Sequence, residues 1–80
     1  MRYFVYGARS CRFCILACDF LIASKVEVIF LDYEEDDLFL QEVKDEHKHS
    51  TIPVILQNDL NTGKVSFVGG YTDLLDLFGE

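Results

Sequence analysis

Cationic residues are scarce in this chain of 80 residues, where 7 lysines and arginines stand against 14 aspartates and glutamates for a net charge of -7. Nucleic acid is thereby excluded as an expected partner, because phosphate binding needs clustered Lys and Arg. Long apolar runs are also missing. The run from Tyr3 to Tyr6 is far too short for a signal-peptide core, and no stretch approaches the roughly twenty apolar residues of a membrane span. No membrane association is expected, and the cytoplasm is the expected location. The 3 cysteines are too few, and odd in number, for a disulfide framework in such a reducing setting. They must be explained by chemistry or by packing. Repeats, linkers and low-complexity segments are absent as well.

Half of the residues are hydrophobic, which is enough for one compact core, so residues 1–80 are expected to form a single domain. The charges are unevenly spread. Arg2, Arg9 and Arg12 are the only charged residues before Asp19, and two of them surround the first cysteines. Asp32, Glu34, Glu35, Asp36 and Asp37 crowd one short stretch, which reads as a solvated helix start.

Arg2 to Tyr6 is a β-rich run closed by Gly7, and Ser10 is placed to cap a helix from Cys11 to Ser24. Its spacing of three and four assigns Phe13, Leu16, Ala17, Phe20, Leu21 and Ser24 to the buried face. Val26 to Leu31 predicts a second, buried strand, parallel to the first in a βαβ unit. A second helix is expected over Asp37 to His47. Pro53 to Gln57 and Lys64 to Val68 read as an antiparallel pair across the loop Asn58 to Gly63. Gly69 and Gly70 then break the chain before a last helix capped by Thr72. The expected fold class is α/β, in the order β-α-β-α-β-β-α.

The chemistry is expected where the first strand turns into the first helix, at Cys11-Arg12-Phe13-Cys14. A CxxC beside a βαβ pattern reads as a redox dithiol. The first turn of a helix offers unpaired N–H groups and a positive dipole end, which stabilise a thiolate at Cys11, and Arg9 and Arg12 add to that field. Cys14, one turn on and deeper, suits the resolving role. A competing reading makes Cys11 and Cys14 half of a zinc site completed by His47 and His49, which are otherwise surface residues near a helix end. Cys18 is either a small hydrophobe of the helix or, with Ile15 and Ile22, part of a docking stripe.

Two further segments bear on binding. Thr51-Ile52-Pro53 marks either an ordinary strand start or a cis bond that frees the Ile52 backbone to pair with an extended peptide. Gly69-Gly70-Tyr71-Thr72-Asp73-Leu74 is either a capped turn or a place where backbone N–H groups hold a carboxylate while Asp73 accepts from an amino group.

Taken in order, these three segments resemble the glutaredoxin family of the thioredoxin-like fold, and are similar to its phage-type dithiol members, over nearly the whole chain. The resemblance implies a four-stranded mixed sheet flanked by helices. It implies that Cys11 attacks a protein disulfide or a glutathione mixed disulfide, that Cys14 completes the exchange, and that glutathione serves as reductant with no bound cofactor or metal. By the same resemblance Ile52 pairs with the glutathione backbone, Pro53 is cis, and Thr72 and Asp73 hold the γ-glutamyl end, with Phe13, Thr51 and Gly70 beside them. Expected partners are glutathione and disulfide-containing proteins, ribonucleotide reductase among them. The sequence departs from the family pattern at Arg12 for proline, Phe13 for tyrosine, and Ala8 for the basic residue three before the first cysteine. Arg9 or Arg12 then takes the contact with the glycine carboxylate of glutathione. These departures bear on glutathione preference and leave the dithiol intact. The alternatives are an NrdH-type redoxin reduced by thioredoxin reductase, and a non-catalytic module that binds zinc or an iron-sulfur cluster.

Overall fold

A computed structural model describes residues 1–80. Seven elements follow one another as β1 (Arg2–Gly7), α1 (Arg12–Ala23), β2 (Glu27–Asp32), α2 (Asp37–Glu46), β3 (Val54–Asn58), β4 (Val65–Gly69) and α3 (Tyr71–Leu77). The strands form one sheet in the order β2-β1-β3-β4. β1 runs parallel to β2, with Tyr3 opposite Val28, and antiparallel to β3, with Val5 opposite Ile55. β3 and β4 form the expected hairpin, with an irregularity between Ile55 and Leu56.

Alternation along β1 decides how the layers are built, since successive side chains leave a strand on opposite faces. Tyr3 and Val5 point to one face and join Ala17 and Leu21 of α1, Ile55 of β3 and Leu74 of α3 in the buried core. Tyr6 points to the other face, where its ring meets Phe39 of α2 at 6.4 Å. The sheet is therefore covered by α1 and α3 on one side and by α2 on the other. Phe78, just past α3, closes the core's edge, stacking edge-on against Phe20 at 5.1 Å and tilted against Tyr3 at 5.7 Å.

The buried stripe of α1 differs from the one its sequence suggests. Cys14, Ala17 and Leu21 are the residues fully withdrawn from solvent, whereas Phe13 is 54% exposed. Helical spacing places Phe13 inward, because it counts Phe13 on one face with Leu16, Ala17 and Phe20. The helix instead starts at Arg12, which turns the small Cys14 under the end of β1, where only Gly7 leaves room for it. A Cβ at Gly7 would collide with the Cys14 sulfur.

Both expected caps are also displaced. Cys11, not Ser10, caps α1, and its sulfur accepts from the Cys14 amide. Gly70, not Thr72, is the cap position of α3, and Asp73 reaches back so that its Oδ2 accepts from the Gly70 amide at 2.9 Å. The preceding Gly69 has φ +126, a conformation side chains rarely adopt, and a Cβ there would strike the Asp73 carboxylate. The crowded acids are only partly a helix start: Asp36 caps α2 through the Phe39 amide, while Asp32, Glu34 and Glu35 turn toward residues 9 and 10.

Leu21 has no exposed surface and sits at the centre of this core. Leu21→Ala is expected to lower unfolding free energy by about 2–5 kcal/mol, measured by urea denaturation.

Candidate active site

The site begins with the loop between β1 and α1. The Cys11 amide donates to the Ala8 carbonyl at 3.0 Å, which turns the chain so that Cys11 stands at the head of α1. There the Cys14 amide, one of the helix's unpaired N–H groups, donates to the Cys11 sulfur at 3.3 Å. This contact places the Cys11 sulfur at the open start of the helix, in register with its first turn. Cys11 is half-buried and Cys14 is fully buried, and both are free thiols. Burial, with the hydrogen bond to the Cys11 sulfur adding to it, pushes the Cys14 thiol up to about 12. One cysteine is thus reachable at a helix start, and the other is held protonated beneath it.

Beside the pair lies a cleft of about 340 Å³ built from three separated segments. Phe13 comes from the first turn of α1, His49, Thr51, Ile52 and Pro53 from the α2–β3 connection, and Gly70, Tyr71, Thr72 and Asp73 from the start of α3. The Ile52–Pro53 peptide bond is cis, and the Cys11 sulfur lies 4.0 Å from the Ile52 carbonyl oxygen. The Phe13 and Tyr71 rings stand 5.9 Å apart on the cleft wall. Gly70 and His49 pack closely in the lining, where a Cβ on Gly70 would stand 3.2 Å from His49 Nε2.

The fold therefore brings Phe13, Thr51, Ile52, Pro53, Gly70, Thr72 and Asp73 together around one cleft. Arg9 and Arg12 are not among its lining residues. Arg9 is exposed and pairs with Asp32 at 2.9 Å and Glu35 at 3.3 Å, so its charge is directed to the β2–α2 loop. Arg12 is exposed on the first turn of α1. Asp73 already spends one carboxylate oxygen on the Gly70 amide.

Tyr71 lines the cleft although sequence reasoning gave it no role, and His49 lines it although it was expected as a zinc ligand or a surface residue. Tyr71 sat inside a segment already singled out and was within reach of sequence reasoning, as the first residue after a Gly-Gly break. For His49 the His-x-His spacing pointed to zinc or to the surface, and not to this cleft. Both histidines are half-buried near the end of α2 and pack on the exposed Phe67: His47 lies stacked on its ring at 5.1 Å, and His49 meets it edge-on at 5.7 Å. His49 Nε2 also lies 3.4 Å from Thr51 Oγ1. No three His, Cys, Asp or Glu side chains converge as metal ligands. Cys18 is half-buried and packs against the core, and burial raises its thiol, whereas Ile15 and Ile22 beside it are exposed. No helix is long and apolar enough to cross a membrane.

The burial difference between the two cysteines predicts their labelling. Iodoacetamide at pH 7.5 should modify Cys11 and spare Cys14 in the native protein, because a thiol raised to about 12 stays protonated until strongly alkaline pH. Peptide mass spectrometry reads the site, and preferential modification of Cys14 would contradict the assignment.

Comparison with known proteins gives two positive results. The glutaredoxin family model matches residues 3–60, more than half of the chain. Among solved structures, the crystal structure of a point mutant of the thioredoxin-like protein BC3987 superimposes with a TM-score of 0.63 at 19% identity, over 96% of this chain and 94% of that one. At that identity the likeness concerns the fold, which is thioredoxin-like. No curated protein matches the chain.

Proposed function

Because the chain belongs to the glutaredoxin family, we propose that its thiol-disulfide redox function is that of a dithiol oxidoreductase acting on protein disulfides and glutathione mixed disulfides. The observation that carries this reading is the Cys14 amide donating to the Cys11 sulfur at the head of α1, next to an open cleft. Residues 1–80 act as one glutaredoxin-like domain, working in the cytoplasm with glutathione as reductant and no bound cofactor.

In the proposed reaction the Cys11 thiolate attacks one sulfur of the substrate disulfide. The S–S bond breaks, the departing sulfur keeps the electron pair and takes a proton from water, and Cys11 is left in a mixed disulfide. Cys14 then gives up its proton to water and attacks the Cys11 sulfur, which forms the Cys11–Cys14 disulfide and breaks the mixed S–S bond, and the expelled substrate thiolate takes up a proton from solvent. The neighbouring Cys11 thiolate helps hold Cys14 protonated in the resting protein. That contribution ends once Cys11 is in the mixed disulfide, whereas the burial that raises the Cys14 thiol most remains. Two glutathione molecules restore the dithiol and leave as glutathione disulfide.

The cleft residues receive these roles in the proposal. Ile52 offers its backbone to the extended substrate beside cis-Pro53, Thr51 and Phe13 flank it, and Gly70, Thr72 and Asp73 take the γ-glutamyl end of glutathione. Arg9 and Arg12, assigned to the glycine carboxylate by analogy, stand off the cleft lining. That placement favours a second reading in which reduction comes from thioredoxin reductase, as for the redoxins of NrdH type. Ribonucleotide reductase is a plausible disulfide substrate under either reading.

A coupled assay separates these readings: turnover with glutathione and glutathione reductase supports the first, and turnover only with thioredoxin reductase supports the second. Cys11→Ser is expected to abolish all activity. Cys14→Ser should still remove glutathione from a mixed disulfide and lose dithiol reduction of proteins. Equal loss in both variants would overturn the division of roles.

A further inference from the structure

The two residues that precede Cys11 are held by carboxylates from the opposite loop in a repeated pattern. Asp32 accepts from the Arg9 amide through Oδ1 at 3.1 Å and from the Arg9 guanidinium through Oδ2 at 2.9 Å. Glu34 accepts from the Ser10 amide through Oε1 at 2.8 Å and from the Ser10 hydroxyl through Oε2 at 2.9 Å. Each carboxylate thus fixes one backbone amide and the side chain of the same residue. Within the clamp, the Glu34 amide donates to Asp32 Oδ1 at 3.1 Å, and the Tyr33 amide donates to the Gly7 carbonyl at 2.8 Å. With the Cys11 amide bonded to Ala8, three successive amides ahead of α1 are tied down.

The site needs this restraint. The Cys11 side chain is the cap of α1, and a loop that rotates about residues 9 and 10 carries its sulfur away from the Cys14 amide. The loop between Gly7 and Arg12 has no apolar anchor except Ala8, since Arg9 and Ser10 are exposed. Bonds from outside the loop are what fix it.

We propose that Glu34 and Asp32 are positioning residues for Cys11, holding the β1–α1 loop so that the sulfur stays in register with the first turn of α1. The proposal deepens the dithiol reading above and rests on it. Neither carboxylate touches substrate. The bonds from the Ser10 hydroxyl and amide lower the Glu34 carboxyl, and those from Arg9 lower that of Asp32, so both are anionic at neutral pH and accept at both oxygens.

Charge and positioning make opposite forecasts for the conservative variant. Gln at position 34 keeps an acceptor for the Ser10 amide and offers its NH2 to the Ser10 hydroxyl, but carries no charge. Ala keeps neither bond. The experiment measures the rate of Cys11 alkylation by iodoacetamide as a function of pH in the Cys14→Ser background, with circular dichroism to verify folding. Positioning predicts that Glu34→Ala slows alkylation at pH 7 on the order of fivefold and moves the profile toward alkaline pH, because part of the helix-start bond to the sulfur is lost. Glu34→Gln should stay close to the parent. Equal behaviour of Gln and Ala, or an unchanged rate in Ala, would overturn the proposal. Should Glu34→Ala fail to fold, Ser10→Ala removes only the hydroxyl bond, and an unchanged profile there counts equally against it. Alkylation does not require turnover of a disulfide. A protein inert in the coupled assay but showing this Ala–Gln difference would sink the redox reading and leave the positioning intact.

Discussion

The arrangement of the active site depends on one hydrogen bond, from the amide of Cys14 to the sulfur of Cys11. It exists because a helix leaves its first amides without internal partners, and because this helix is capped by a cysteine where Ser, Thr or Asp would be usual. The same interaction ends the loop, starts α1 and fixes the position of the Cys11 sulfur. Most of the surrounding structure can be understood by what it does for that contact. β1 delivers the chain to the right end of the helix, and Gly7 clears space for Cys14. The carboxylates of Asp32 and Glu34 stop the loop from turning.

The two thiols are chemically alike in sequence and are separated by their surroundings. Cys14 lies under the end of β1 with no exposed surface, where desolvation penalises a thiolate and nearby sulfur adds repulsion. Cys11 sits one turn earlier, beside the cleft. A single helical turn thus converts a symmetrical pair into an ordered one. The order follows from depth, and the residues between them, Arg12 and Phe13, face outward, where Phe13 can serve the cleft wall.

Much of this was legible in the sequence because it rests on local rules. Alternation and helical spacing located all seven elements, and the parallel βαβ unit and the hairpin followed from connection lengths. The family resemblance, not spacing, named the seven expected residues that the fold gathers around one cleft. The failures share a cause, which is that they depend on contacts between distant segments. Helical spacing suggested that Phe13 points inward, yet the room under β1, beside Gly7, is filled by the small sulfur of Cys14. Ser10 and Thr72 were reasonable caps by residue type, but Glu34 claims the Ser10 hydroxyl, and α3 already begins at Tyr71, which puts Thr72 inside the helix. Arg9 reads as a cation near the cysteines until β2 brings Asp32 alongside. His49 joins the cleft only because Phe67, from β4, and Gly70 accept its ring.

The division of the chain around Cys11 has an implication for how such a protein can change. Sulfur reactivity is set by residues 7–14 and 32–35, whereas the shape of the recess is set largely by 49–53 and 69–73. The two groups approach each other closely at the Cys11 sulfur and the Ile52 carbonyl oxygen, 4.0 Å apart, with Phe13 as the other link. Selectivity can accordingly drift through the second group while the electron-transfer chemistry stays fixed, and the narrow seam between them is where a change in one is felt by the other.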